Sequence, residues 1–303
     1  MENQSNLYYE AHQKGWKKWL LFIACIIFIV IVLSVSTFLP EKRQQLPYNQ
    51  TFEFKSTKQS YRVIGNGPEV IMVHGSLLSN PWSHWEEKLA KNYKVYLIDL
   101  PGYGASDAIE GEIHNTDLFA QSLCEFIQQN NLQKSPIISF SLGTIVAIRA
   151  SAKNCTQGKQ ILVGVPGKVT GTQVEIAEKV PLSIRRYLAS TRFGKETFLI
   201  PIVYGNVGEE STRAKQKTLE LLSQNDPKTS ADIDVKKEIE EDLPKLLPKV
   251  KNETVFIYGG NDLLKTTTKN LISDFIEIPN SGHNIFAYQP EKSSEVIEKE
   301  LGK

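Results

Sequence analysis

Short apolar strands alternate with amphipathic helices along the middle of this 303-residue chain, and this alternation restricts the fold more than any other feature. The predicted strands are Glu69–His74, Tyr93–Ile98, Ile137–Phe140 and Gln160–Val165. Helices are predicted between them over Pro81–Lys91, Asp117–Gln129 and Leu142–Ala152. Strands that alternate with helices form a parallel sheet through right-handed crossovers. Because the strands are continuously apolar, we expect helices on both faces of an α/β fold with a mostly parallel sheet.

The flanking segments extend and then interrupt this pattern. A hairpin is predicted from Thr51–Lys55 and Ser60–Val63, and the pattern resumes late in the chain with Thr254–Tyr258, Phe275–Ile278 and a closing helix, Pro290–Leu301. Residues 168–250 are charged and mostly helical in character, although "FLIPIVYG" at 198–205 is ambiguous. The sequence therefore predicts one domain over residues 51–303, with a helical insert at about 168–250.

The N-terminus has a different composition. Residues 1–18 form a polar tail, and Trp19–Leu39 is a run of 21 residues without a charged side chain. As a helix this run spans about 31 Å, close to the thickness of the hydrocarbon core of a bilayer. We therefore predict a transmembrane helix over residues 19–39, followed by a linker over residues 40–50. The alternative is a signal peptide that is cleaved at the small residues Ser34–Ser36.

The lysines and arginines beside this run predict its orientation weakly. Lys14, Lys17 and Lys18 precede the run, whereas Lys42 and Arg43 follow it. Positive residues favour the cytoplasmic side, so we expect a single-pass membrane protein with a cytoplasmic N-terminus and the large domain outside. In the alternative the domain is secreted after cleavage.

Composition excludes several other classes. The formal net charge of +1 argues against a nucleic-acid partner, because phosphate binding usually requires a strong basic excess. The cysteines, Cys25, Cys124 and Cys155, lack metal-ligand spacing and are too few for a disulfide framework. The sequence allows a single Cys124–Cys155 bridge but contains no signal for one.

The stretch "SFSLGT" at 139–144 lies where a predicted strand meets a predicted helix. A sharp strand-to-helix turn exposes a serine side chain in a strained backbone conformation, and the helix N-terminus beside it can stabilise an oxyanion. The close approach of strand and helix requires small residues two positions before and after Ser141, and Ser139 and Gly143 meet that need. Ser141 is therefore a candidate nucleophile, although such a turn can also be purely structural.

Two further loops follow predicted strands. In "VHGS" at 73–76, the backbone N–H of Ser76 is a candidate oxyanion donor together with the N–H of Leu142. We interpret His74 as a residue that braces this loop. In "LIDLPGYGASD" at 97–107, Asp99 is more consistent with a structural hydrogen-bonding role than with catalysis.

An acid and a base are predicted near the C-terminus. Asp262 follows a strand in "VFIYGGNDLL", and His283 follows the last strand in "IPNSGHNIF". Histidine can exchange a proton near neutral pH when a carboxylate fixes its tautomer. Because parallel strands end at one edge of the sheet, we expect Asp262 and His283 to lie near Ser141.

From about Phe52 to the C-terminus the chain resembles the α/β-hydrolase fold superfamily, in its serine hydrolase branch with a helical cap. The order nucleophile, acid, histidine is that of the family, and the resemblance implies that Ser141, Asp262 and His283 form a catalytic triad. It also implies an oxyanion hole at Ser76 and Leu142, and a cap made by residues 168–250. The chain departs from the usual Gly-x-Ser-x-Gly turn, because Ser139 replaces the first glycine.

The resemblance implies hydrolysis of a carboxylic ester, or a related acyl bond, through an acyl-enzyme on Ser141. This chemistry requires no metal or cofactor, and a small or lipid-like acyl compound is the expected substrate. Four alternatives remain open: an acyltransferase, a carbon–carbon bond hydrolase, a peptidase and a non-catalytic ligand-binding protein of the same fold.

Overall fold

The computed structural model describes residues 19, 22, 23, 25, 26, 35–76, 80–207 and 212–302. Within these residues an eight-stranded sheet forms the centre of the molecule, in the order β1-β2-β4-β3-β5-β6-β7-β8. Its strands are β1 Gln50–Phe54, β2 Thr57–Ile64, β3 Glu69–Val73, β4 Lys94–Ile98, β5 Ile137–Phe140, β6 Gln160–Val163, β7 Thr254–Gly259 and β8 Ile276–Ile278. Strand β2 is antiparallel to both β1 and β4, and the remaining neighbours are parallel. The predicted α/β fold with a mostly parallel sheet is confirmed.

Helices cover both faces of the sheet. The helices that pack on it or close the chain are α1 Trp85–Leu89, α2 Thr116–Gln129, α3 Leu142–Ala152, α11 Leu264–Thr267, α12 Ile285–Tyr288 and α13 Pro290–Leu301. Side chains alternate along β3, so that Val70 and Met72 join the core cluster on the side of α1 and α13. Ile71 and Val73 join the cluster on the side of α2 and α3. This double burial explains why the strands are continuously apolar in sequence.

Between β6 and β7 the chain is helical and irregular. The elements there are α4 Thr172–Lys179, α5 Leu182–Ser190, α6 Arg192–Gly194, a π-helical turn Lys195–Leu199, α7 Ile200–Val207, α8 Thr212–Leu222, α9 Lys228–Ala231, a π-helical turn Lys236–Glu241, α10 Leu243–Leu246 and a 3₁₀ turn Leu247–Lys249. The ambiguous stretch 198–205 is helical. We call residues 168–250 the cap.

One predicted helix is shorter than expected. The pattern over Pro81–Lys91 indicated a helix, but α1 begins only at Trp85. Ser83 and His84 have φ values of 53° and 65°, in the left-handed region that cannot continue a right-handed helix. Trp82 and Trp85 are nevertheless both buried, as their spacing predicted.

No helix among the described residues has both the length and the apolar character needed to cross a bilayer. About half of residues 19–39, the segment predicted as a transmembrane helix, lies outside the described residues. The whole of the tail 1–18 also lies outside them.

The segment after it, residues 37–48, lies against the domain, and we call it the strap. At its start the N–H of Phe193 donates to the carbonyl of Thr37 (2.9 Å), and the rings of Phe38 and Phe193 stack with centroids 4.4 Å apart. Further along, the N–H of Glu41 donates to the carbonyl of Ser190 (2.7 Å), and the guanidinium of Arg43 donates to the carbonyl of Ser106 (2.7 Å). The predicted linker is therefore bound first to the cap and then to the loop after β4.

A disulfide joins Cys124 on α2 to Cys155, just after α3. It closes a loop with a sequence separation of 31 residues. Loop-closure entropy for this length predicts that reduction, or the Cys124→Ser, Cys155→Ser double variant, lowers the free energy of unfolding by about 3 to 4 kcal/mol. Urea unfolding of the oxidised and reduced protein measures this difference. Equal midpoints and slopes would contradict the prediction.

Candidate active site

Ser141 lies at the turn between β5 and α3, with φ 52° and ψ −124°. This conformation is strained for a residue with a Cβ atom, and such strain is found preferentially at functional sites. The turn is held by a hydrogen bond from the N–H of Ser141 to the carbonyl of Val163 (2.9 Å). The partly exposed Ser141 lines a cavity, whereas Ser139 is fully buried beneath it.

The loop after β3 packs tightly against the first turn of α3. A Cβ atom at Gly143 would lie 2.3 Å from the carbonyl oxygen of His74, so this position accepts only glycine. The contact brings Ser76 beside Leu142, and both residues line the cavity with Ser141. The N–H groups in the first turn of a helix have no partner within that helix, so the N–H of Leu142 is available to an anion at this point.

His74 braces this loop through two hydrogen bonds, in agreement with the role inferred for it from the sequence. Its Nδ1–H donates to the carbonyl of Gly75 (2.8 Å), and its Nε2 accepts from the N–H of Leu100 (3.0 Å). The ring is fully buried, and burial lowers the pKa of His74 to about 4. Asp99 accepts a hydrogen bond from the N–H of Ala105 (3.0 Å), and burial raises its pKa to about 6.

Asp262 and His283 form a buried pair. The Nδ1–H of His283 donates to Oδ2 of Asp262 over 2.8 Å, which leaves Nε2 as the proton acceptor of the ring. The second carboxylate oxygen of Asp262 accepts from the N–H of Leu264 (2.9 Å). The loops that carry the pair are joined by a hydrogen bond from the N–H of Asn261 to the carbonyl of Ser281 (2.8 Å).

The imidazole is held between two residues that sequence reasoning did not assign to the site. Phe140, which precedes Ser141, lies against the ring with centroids 4.8 Å apart. Gly164, at the end of β6 with φ 65°, is so close that a Cβ atom there would lie 2.6 Å from Cε1 of His283. The sequence contained a signal in "LVGVPG", where a glycine directly follows β6 and no carboxylate comes after it.

These contacts bring His283 to the ends of β5 and β6, next to Ser141. Nε2 of His283 is buried and forms no hydrogen bond within the described part of the chain. Nε2 of His283 and Oγ of Ser141 are therefore not hydrogen-bonded to each other in this structure, although Phe140, the residue before Ser141, packs against the imidazole.

Above Ser141 the cap encloses a cavity of about 380 Å³, within the range of small-molecule sites. Its floor is formed by Ser76, Ser141 and Leu142. Its roof is mostly apolar and comes from the cap, including Val174, Leu188, Phe198, Leu199 and Ile239. No group of three or more histidine, cysteine, aspartate or glutamate side chains suited to a metal ion occurs in the described ranges.

The sequence profile of the alpha/beta hydrolase family matches residues 70–296, which is most of the chain and includes the whole site. The chain belongs to the alpha/beta hydrolase family. This alpha/beta hydrolase is 27% identical over 148 residues to a pimeloyl-[acyl-carrier protein] methyl ester esterase of Aeromonas salmonicida, an alignment that covers 44% of the chain and 57% of that relative. It is 24% identical over 223 residues to the enzyme of the same name from Nitrosomonas europaea, with 66% and 79% covered.

Among solved structures, an esterase from Thermogutta terrifontis superposes with a TM-score of 0.64 and 20% identity. The superposition covers 86% of this alpha/beta hydrolase and 98% of the esterase, and it supports the fold. The chain spans between half and two thirds of the length of the first two curated relatives, 57% and 59%.

Gly164 gives a prediction specific to this alpha/beta hydrolase. Gly164→Ala places a methyl group against the imidazole of His283 and forces the ring to move. A displacement of about 1 Å at a reacting group commonly costs about 100-fold in rate. We therefore expect kcat for an ester to fall about 100-fold with little change in KM. The matched control is Gly111→Ala, because a Cβ atom at Gly111 meets nothing within 4 Å although its φ is also positive. Equal losses in the two variants would contradict a specific effect on His283.

The lowered pKa of His74 should make the free energy of unfolding of this alpha/beta hydrolase depend on pH. Its pKa is about 4 when folded against 6.5 when unfolded, so only the unfolded chain binds the proton between these values. The stabilisation is present above pH 6.5 and is lost as the pH falls toward 4, by about 3 kcal/mol in total. The contribution of Asp99 to stability has the opposite sign. Its pKa is raised on folding, so protonated Asp99 stabilises the folded state at low pH, and this stabilisation is lost as the pH rises through 6.

The His74→Gln variant separates these two contributions. Its free energy of unfolding, measured by urea unfolding between pH 4 and 7, should lack the acid loss and fall instead with rising pH, following Asp99. An unchanged pH profile in the variant would contradict the assignment to His74.

Proposed function

We propose that this protein is a serine hydrolase that cleaves carboxylic esters through an acyl-enzyme on Ser141. The observation that supports this most strongly is the buried Asp262–His283 pair beside the strained Ser141, at the floor of an apolar cavity. The names of the curated relatives, which are methyl ester esterases, point to the same reaction class.

In the proposed reaction Oγ of Ser141 attacks the ester carbonyl carbon, and Nε2 of His283 takes the serine proton. Asp262 stabilises the imidazolium through Nδ1–H. The carbonyl oxygen becomes an oxyanion that the N–H groups of Ser76 and Leu142 bind. The alcohol leaves with the proton from His283. Water, deprotonated by the same imidazole, then attacks the acyl-serine and releases the acid.

The same residues also suit transfer of the acyl group to another acceptor, so products must be measured. We expect the purified chain to convert acyl esters into acid and alcohol in equal amounts, with no acyl transfer to added alcohols or amines at millimolar concentration. An ester series of rising acyl length would define the preferred chain. Formation of a transfer product in preference to the acid would favour an acyltransferase.

We further propose that the chain is a single-pass membrane protein with the domain outside the cytoplasm. The support is the uncharged run Trp19–Leu39 together with the Cys124–Cys155 disulfide, a feature of oxidising compartments. The strap binds the cap directly. Two large apolar side chains of the strap and two of helix α5 are about half exposed: Phe38, Leu39, Ile184 and Tyr187. An anchor that enters at the strap would therefore turn the cap toward the membrane surface.

Carbonate extraction of membranes and protease treatment of intact spheroplasts test this location. We expect the full chain to resist extraction and its domain to be digested from outside. Recovery of the domain in the culture medium would indicate the cleaved alternative, and protection from the protease would reverse the orientation.

A further inference from the structure

Arg185 of the cap faces the cavity, and the structure gives its guanidinium no partner among the described residues. Arg185, Leu188 and Ala189 line the cavity from helix α5, at the spacing i, i+3 and i+4 that places three residues on one helix face. The Nε atom of Arg185 is closed off from solvent and makes no hydrogen bond to any described residue. The side chain as a whole is half-buried.

The next residue on the same helix, Arg186, is an arginine whose guanidinium is paired. Arg186 donates from Nε and Nη2 to the two oxygens of Asp232, at 2.6 and 2.7 Å, and thereby fixes α5 to the segment after α9. Among the described residues no carboxylate lies within ion-pair distance of Arg185. Helix α5 is thus anchored by one arginine and presents the other to the cavity.

The other charged residues that line the cavity lie in solvent. Glu178, Asp234 and Lys236 are all exposed, and Oδ1 of Asp234 already accepts the N–H of Lys237 (3.0 Å). Water screens charges in such positions, so they contribute little to selection of a ligand. Arg185 is the cation whose donor is shielded from water.

A buried guanidinium donor without a partner is costly, and it recovers that cost when it binds an anion. The planar fork of arginine matches a carboxylate, which it binds through two parallel hydrogen bonds. We propose that Arg185 binds a carboxylate of the substrate, so that the preferred ester carries a negative charge at the end opposite the scissile bond. This inference rests on the proposed ester hydrolysis.

The lining of the cavity suits such a molecule. In the proposed complex the ester carbonyl lies at Ser141 and the carboxylate at Arg185, with an aliphatic chain between them. Leu188 and Phe198 line the same cavity and supply apolar surface for that chain. A monoester of an aliphatic dicarboxylic acid has this form. An ester whose carboxylate belongs to the alcohol has the same charge at the other side of the scissile bond.

Steady-state kinetics on matched esters tests the proposal with the full chain. The first pair is a methyl monoester of a dicarboxylic acid and the uncharged methyl ester of a monocarboxylic acid with the same number of carbons. The second pair places the carboxylate on the alcohol. For the wild-type chain we expect a higher kcat/KM for the charged ester than for the uncharged ester in one of the two pairs. The pair that shows this preference identifies whether the carboxylate belongs to the acid or to the alcohol.

Arg185→Met keeps an apolar side chain of similar length and removes the guanidinium group. We expect it to lower the ratio of charged to uncharged kcat/KM by about 10- to 100-fold, mainly through KM. Arg185→Lys keeps the charge and should recover only part of the ratio. The control is Arg192→Met, because Arg192 is exposed, is paired with Glu196 and does not line the cavity. Its ratio should stay within twofold of the wild type.

The outcomes separate the two proposals. If the wild type hydrolyses uncharged esters as well as charged ones, and Arg185→Met leaves the ratio unchanged, the carboxylate site is refuted while ester hydrolysis stands. If the wild type hydrolyses no ester of either pair and none of the longer series, the proposed function fails first. A thermal unfolding curve for each variant excludes loss of folding as the cause of a change, and Arg185→Lys gives the same test if Arg185→Met does not fold.

Discussion

Ser141→Ala should lower kcat for ester hydrolysis by about 10⁴- to 10⁶-fold, because it removes the hydroxyl that is proposed to form the acyl-enzyme. The fold should be retained, since alanine is smaller than serine and relieves rather than adds contacts at the turn. KM should change little, because the cavity that holds the acyl chain is untouched. Initial rates with the best ester of the series, at high enzyme concentration, measure the loss.

Two variants control this result. Ser139→Ala alters the other serine of the turn. The hydroxyl of Ser139 is buried and makes no hydrogen bond to a described residue, so the rate of this variant should stay within a few-fold of the wild type. His283→Ala combined with Ser141→Ala should be no slower than Ser141→Ala alone, because the two residues act as a unit. A fully active Ser141→Ala variant, or additive losses in the double variant, would contradict the assignment.

Asp262→Asn should lower kcat by about 10⁴-fold with little effect on stability or on KM. The amide retains the size of the carboxylate. However, an amide nitrogen facing Nδ1 favours the wrong tautomer of His283, and it cannot stabilise the imidazolium that forms when Ser141 loses its proton. The loss is therefore expected in kcat, measured across pH 6 to 9.

Asp99→Asn is the matched control, because Asp99 is a partly buried aspartate that also follows a strand of the parallel part of the sheet. It accepts a backbone hydrogen bond in the loop after β4 and does not contact His283. We expect its kcat to remain within a few-fold of the wild type, with the main effect on stability at neutral pH. Full activity in Asp262→Asn, or an equal loss in Asp99→Asn, would place the acid elsewhere.

The sheet and the placement of the site residues depend on local signals that a sequence contains. Strands buried on both faces must be continuously apolar, so β3, β4, β5 and β6 could be predicted within one or two residues. The ends of parallel strands meet at one edge, so Asp262 and His283 could be expected near each other before any coordinates were known. The Nδ1–Oδ2 distance of 2.8 Å agrees with that expectation.

Other features depend on contacts between distant segments, and the sequence contains no local pattern for them. The Cys124–Cys155 bridge joins two positions whose distance is set by the packing of α2 on α3. The strap has the composition of a linker, yet its backbone pairs with residues near 190 and 223. Gly164 packs against an imidazole that lies more than 100 residues later in the chain. The sequence also does not show that Arg185 pairs with no described residue, because that depends on how the cap folds over the cavity.

The covalent reactivity of Ser141 tests the central claim most directly. The full chain, treated with a fluorophosphonate and digested, should carry one phosphonyl adduct, on the peptide that contains Ser141, as mapped by mass spectrometry. The adduct should be absent in Ser141→Ala and strongly reduced in His283→Ala. A folded wild-type protein that hydrolyses esters while its Ser141 remains unmodified, or an adduct mapped to another residue, would contradict the account.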